Sequence, residues 1–208
     1  MAKRMQAASI GFRVKTGRAI AVVVAGSAAS PRVVRRCEVE LCDFRNRWTR
    51  QPYHAPLELP EKQAAGIVRE ATATVRSLAA RAVRRLRAEL AAEGYRVKSI
   101  GLVVGSDIDP AKLGNLHVRA HALEGRLYRG ALERGAAACR LPCFALVERS
   151  AYQHAATALG KPPAHLKRTV TALGGAVKPW RAEEKTATLA AWLGLTRRRQ
   201  KRASAPPS

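Results

Sequence analysis

For its size, this chain is short of acidic residues. Asp and Glu number 15 against 38 Lys and Arg, for a net charge of +23 over 208 residues. Lys3, Arg4, Arg197, Arg198, Arg199, Lys201 and Arg202 supply seven of the positive charges at the two ends, so the body is basic as well. Such a body attracts polyanions, with nucleic acid the first candidate and anionic lipid the second. Cysteine is also scarce. Four in a chain of this length do not make a disulfide scaffold, which fits a reducing compartment. No stretch approaches the roughly 18 apolar residues of a membrane span, and the run Ile20 to Ala25 is too short and too far in for a signal peptide. Cytoplasmic residence and no membrane association are therefore expected. Aromatics make up only 5%, so Trp48, Tyr53 and Trp180 read as core or loop anchors before they read as base-stacking platforms. No helix-turn-helix, zinc-finger or RNA-recognition signature is present.

The hydrophobic fraction of 47% is ordinary for a globular chain, and the length suits one domain with a single core. We expect a basic arm over 1–8, a folded domain over 9–195 and a basic tail over 196–208. Within the domain, Ile10 to Val14, Ile20 to Val24 and Val33 to Leu41 read as three strands in series separated by turn residues. Phe44 to Pro60 carries Pro52, Pro56 and Pro60 with no periodic signal, a long loop. Val68, Ala71, Val75, Leu78, Ala82, Leu86 and Leu90 then recur at helical spacing over Glu61 to Glu93. The solvent side of that helix holds Arg69, Arg76, Arg81, Arg84, Arg85 and Arg87. Val97 to Val104 reads as a buried strand ending in Gly105, Ser106 and Asp107. Helices follow over His117 to Ala138, Ser150 to Leu159, Leu166 to Leu173 and Pro179 to Leu195, with a strand at Cys143 to Val147. Gly125, Gly130 and Gly135 weaken the first of those helices by about 1 kcal/mol each against Ala.

Strand, strand, strand, long helix, strand, helix, strand and C-terminal helices is an order that resembles the ribonuclease H-like superfamily. The later half, with Leu146-Val147-Glu148-Arg149, His165-Leu166-Lys167-Arg168 and Lys178-Pro179-Trp180-Arg181-Ala182-Glu183-Glu184-Lys185, resembles its Holliday-junction resolvase branch. The resemblance is diffuse and topological. It implies an α/β fold with a mixed five-stranded sheet in the order 3-2-1-4-5, flanked by helices. It also implies carboxylates from the first strand, the fourth strand and a helix that hold two hard divalent ions around a phosphodiester.

In this sequence the first-strand position falls within Gly11-Phe12-Arg13-Val14-Lys15, two cations and no acid. Asp107 and Glu184, with Glu183 beside it, match the other positions by location, and Glu124 lies on the intervening helix. If the chain is an active nuclease, Asp107, Glu124 and Glu184 are its expected catalytic set, with Asp107 and Glu184 as ligands of Mg²⁺ or Mn²⁺. Otherwise Asp107 is a turn residue, Glu183 and Glu184 complement a helix dipole, and Glu124 is a solvated helix residue.

Phosphate can be bound by cations without being cleaved. The leading expectation is therefore a nucleic-acid or phosphate binder of ribonuclease H-like fold, without metal-dependent catalysis and with no cofactor. Its contact residues would be Arg13, Lys15, Arg76, Arg84, Arg87, Lys178 and Arg181. An active resolvase-type nuclease and a structural or protein-interaction module are the alternatives. Two smaller constellations remain. His117 and His121, with Glu124, share one helix face and would bind zinc if a third ligand arrived, or else pack under the Pro-rich loop near His54. Cys37 with Cys42 and Cys139 with Cys143 lie at opposite sheet edges in the implied order, about 19 Å apart at the usual strand spacing, too far for one tetrahedral site.

Overall fold

The structure is a computed structural model that describes residues 4–175 and 177–196. The expected basic tail from 197 onward and the first three residues of the expected arm lie outside the described residues. Strand β1 (Gln6–Lys15) turns through Thr16 and Gly17 into β2 (Arg18–Gly26), and β3 (Pro31–Glu40) follows. A short helix, α1 (Arg47–Arg50), interrupts the proline-rich loop before the long helix α2 (Glu61–Ala92). Then come β4 (Tyr95–Val104), α3 (Leu116–Ala138), β5 (Cys143–Val147), α4 (Ala151–Leu159), α5 (Pro163–Leu173) and α6 (Ala182–Thr196).

The sheet order is β3-β2-β1-β4-β5. β1 pairs antiparallel with β2 and parallel with β4, and β4 pairs parallel with β5. Both faces of the sheet are covered, which is why β1 and β2 are nearly continuous apolar runs and do not alternate. On one face Ile10, Phe12, Val14, Ala21 and Val23 meet Val75, Ala79, Val83 and Leu86 of α2 and Leu127, Ala131 and Leu132 of α3. The buried stripe of α2 runs through Ala79 and Val83, and Leu78 lies at its half-buried margin. On the other face Ile20, Val22 and Val24 meet Ala187 and Ala191 of α6. Leu189, Trp192 and Leu193 of α6 pack with α4 and α5.

Helix α6 sits unusually close to the central strands, and small residues make this possible. A Cβ at Gly11 would lie 1.8 Å from the Ala187 carbonyl oxygen, and one at Gly101 would lie 2.9 Å from that of Ala190. Ser9 and Ser99 fill the same seam with hydroxyls 2.9 Å apart, and Ser99 donates to the Gly194 carbonyl at 2.9 Å. Because Ala187 is anchored over Gly11, the first turn of α6 is carried to the β1–β2 end of the sheet. That turn holds Glu183 and Glu184.

Candidate functional site

The parallel strands β1, β4 and β5 end on one side of the sheet. In α/β sheets the crevice outside the carboxyl ends of strands is the usual place for a ligand. Here a cleft of about 1080 Å³ lies between those strand ends and α3, lined on one side by Arg13 to Thr16 and Val104 to Asp109 and on the other by His121 to Ala137 positions of α3. Its charged lining is Arg13, Lys15, Arg126, Arg129 and Arg134 against Asp107, Asp109 and Glu133. The balance is cationic.

Arg13 occupies the first-strand corner and is 4% exposed. Its Nε donates to Glu148 Oε1 at 3.1 Å, a second nitrogen donates to Glu148 Oε2, and Nη1 donates to the carbonyls of Val14 and Val103 at 2.9 and 3.4 Å. Most of the donors of the guanidinium are therefore engaged inside the fold. The expectation that Arg13 offers free charge to a phosphate is corrected by that burial: the side chain is turned onto Glu148, at the end of β5, and onto strand carbonyls. Lys15 remains exposed and is 3.2 Å from Glu183, which also approaches Arg18 at 3.7 Å. Acids from β5 and α6 thus face cations from β1 and β2, the reverse of a first-strand carboxylate.

The three acids implied by the resemblance do not share the cleft. Asp107 lines it, at 65% side-chain exposure, and accepts from Arg129 Nη1 at 2.6 Å while Arg129 Nε donates to Glu133 at 2.8 Å. Glu184 is 2% exposed and turned toward β3, accepting from Arg36 Nη2 at 2.7 Å and from the Arg181 backbone N–H at 2.9 Å. Burial acts to raise its pKa, but the Arg36 hydrogen bond, the backbone N–H groups and the Arg36 charge together hold it below the usual carboxylate range. Glu124 is fully buried beneath the proline-rich loop, where its Oε1 accepts the backbone N–H groups of Tyr53 and His54 at 3.4 and 3.2 Å. The reading of Glu124 as a solvated helix residue is corrected by that burial.

The loop that supplies Tyr53 and His54 is pinned to α3. The Tyr128 hydroxyl lies 2.6 Å from the Thr49 carbonyl and 2.8 Å from that of Arg50, and its pKa is raised by burial. Asn46 caps α1 by accepting from the Trp48 N–H at 2.9 Å. This brings His54 against His117 and His121, with ring centroids 4.5 and 3.9 Å away, and the latter two rings are 4.8 Å apart. The pKa of His121 is lowered, first by desolvation and then by repulsion from His54 and His117, with Glu124 opposing. His121 also lines the cleft.

Arg76, Arg84 and Arg87 are exposed on α2, away from the cleft lining, and Arg87 donates to the Cys139 carbonyl at 3.4 Å. Lys178 and Arg181 are exposed on the segment leading into α6. Trp180 donates to the Val170 carbonyl at 3.0 Å and packs on Gly174, an anchor as expected. Among the described residues no disulfide joins the cysteines, and burial pushes the Cys42 thiol up to about 11. Sequence reasoning missed Glu148 and Arg36 as partners and gave His54 only a neighbouring place. Glu148 alone carried a signal, as the first residue after a parallel strand.

Order of strands, crossing helices and the position of α6 define a ribonuclease H-like α/β fold. Among solved structures, RuvC of Thermus thermophilus in complex with Holliday junction substrate superposes with TM-score 0.51 and 13% identity, covering 89% of this chain and 90% of that chain. A second Thermus thermophilus RuvC structure gives TM-score 0.50 and 14% identity, covering 89% and 92%. At this identity the likeness is one of fold. No family sequence model and no curated protein sequence matches the chain.

Proposed function

We propose that this protein binds nucleic acid through the cleft at the carboxyl ends of β1 and β4, and that ion pairing has replaced carboxylate-metal hydrolysis in that corner. The observation that carries the reading is Arg13: a buried guanidinium, held by Glu148, stands on the first strand. That corner offers no first-strand carboxylate to a divalent metal, and the Glu148 carboxylate beside it is taken up by the pair. Of the three implied acids only Asp107 reaches the cleft, where it is ion-paired with Arg129. Contact with phosphate falls to the exposed groups: Lys15, Arg126 and Arg134 along the cleft, and Lys178 and Arg181 beside the start of α6. The fold neighbour bound to a Holliday junction supports branched DNA as the first ligand to try.

The test is binding of four-way-junction, duplex and single-stranded DNA across a salt series, with a parallel incubation of junction and RNA–DNA hybrid in Mg²⁺ and Mn²⁺. We expect log affinity to fall linearly with log salt. Lys15→Ala should reduce the slope by about 1. Metal-dependent cleavage that Asp107→Asn abolishes would establish the nuclease instead. Absence of both binding at low salt and cleavage would leave an interaction module.

A further inference from the structure

We propose that His54, His117 and His121 form a site for a divalent first-row transition metal of the zinc class, with Glu124 orienting His54 from beneath. His117 and His121 stand one turn apart on α3 and present the same face, and the pinned proline-rich loop delivers His54 to that face. One ligand atom from each of the three lies within 4.8 Å of the others. A tetrahedral ion with bonds of about 2.0–2.1 Å needs its nitrogens about 3.3 Å apart. The side chains of His117 and His121 are exposed and so the ones free to move toward that spacing. The rings meet at 74°, 59° and 89°, so no pair is stacked face to face.

A second observation is independent of the clustering. The His54 side chain is only 9% exposed, and neither ring nitrogen makes a hydrogen bond to the described residues. Glu124 Oε2, fully buried, lacks one as well. Burying polar atoms without partners is costly, so native structures seldom leave a group of them together. His54 Nδ1 is already 3.0 Å from Glu124 Oε1, although off the line of a hydrogen bond. With Nδ1 donating to Glu124, Nε2 is the nitrogen left to bind the ion. The result is a carboxylate–histidine–metal relay of the kind that fixes a ligand's tautomer and raises its basicity.

Three imidazoles select zinc, copper, nickel or iron over magnesium and calcium, which prefer oxygen. The site is therefore chemically distinct from a hard-metal carboxylate centre. Three protein ligands leave one vertex for water or an anionic oxygen. Because His121 lines both the cluster and the cleft, that vertex lies at the cleft margin. The site stands whether or not the cleft takes nucleic acid.

The experiment uses the full chain without an affinity tag, stripped by chelator and titrated with Co²⁺ while its visible absorption is recorded, then with Zn²⁺ against a chromophoric competitor. One equivalent should bind with the intense visible bands of four-coordinate cobalt. Zn²⁺ should displace it, and excess Mg²⁺ should not. Glu124→Gln should weaken zinc by about 10–100-fold, and His54→Ala and His117→Ala by more than that, since each removes a ligand outright. His117 is exposed, so its variant keeps the fold, which circular dichroism checks. No stoichiometric binding by the folded wild type, or an unchanged affinity in His117→Ala, would overturn the proposal.

Discussion

Cutting the Arg13–Glu148 pair from its two ends should give unequal results. The side chain of Arg13 is 5% exposed and that of Glu148 is 40% exposed. Glu148→Ala strands a buried guanidinium with only the carbonyls of Val14 and Val103 as partners. Breaking a buried pair by removing one partner costs about 3–5 kcal/mol. Because Glu148 is partly in water, where ion pairs are screened to about 0–1 kcal/mol, an intermediate cost of about 2 kcal/mol is expected. For a domain of this size that lowers Tm by about 4–8 °C. Arg13→Met keeps an aliphatic stem in the core and releases Glu148 to solvent, so it should cost about 1 kcal/mol. The double variant Arg13→Met with Glu148→Leu should fall within about 1 kcal/mol of wild type, as buried pairs replaced by apolar residues often do. Urea denaturation of the four proteins measures the cycle, and DNA binding of Arg13→Met at fixed salt supplies the functional arm. If Arg13→Met proves the costlier single change, the burial argument fails; if it lowers DNA affinity tenfold while leaving stability intact, Arg13 is a phosphate ligand.

Helix α6 should tolerate no Cβ beneath it: Gly11→Ala places a methyl 1.8 Å from a backbone oxygen and should destabilise by about 3 kcal/mol or more, measurable as lost soluble yield or a lower urea midpoint. Gly125→Ala, with nothing within 4 Å of the added carbon, should instead stabilise by about 0.8–1 kcal/mol. Equal effects of the two would mean that α6 is not seated where described. Glu184 gives a pH signature. Its folded-state pKa lies below the ordinary 4.5, so its stabilisation is complete above about that pH and is lost as pH falls through the lower folded value. The stability gap between wild type and Glu184→Gln should therefore be largest near neutrality and shrink in acid, and a gap independent of pH between 7 and 3 would contradict the Arg36 pairing. Tyr128→Phe removes the hydroxyl that holds the Thr49 and Arg50 carbonyls and should cost about 1–2 kcal/mol. Faster amide exchange across residues 47–59 would accompany it, and unchanged protection there would show that the loop is held by other means.

Element order was legible in the chain because it rests on local periodicity. Apolar runs bounded by Gly17, Gly26 and Pro31 mark strands, and the three- and four-residue recurrence from Ala71 to Leu90 marks α2. The five-strand order came from the resemblance of that element series to a known fold, and the structure has it. Partner choice was not legible, because it depends on residues far apart in sequence. Arg13 meets Glu148, Arg36 meets Glu184 and His54 meets Glu124 only once α6, β5 and the proline-rich loop have docked. The sequence by itself determined that the first strand carries cations where the resemblance implies an acid. Tertiary structure decided that one of those cations is spent inside the fold. It also decided that Glu124 and Glu184 are buried partners outside the cleft, and that three histidines from two elements converge beside it, since burial and distance are properties of packing and not of pattern.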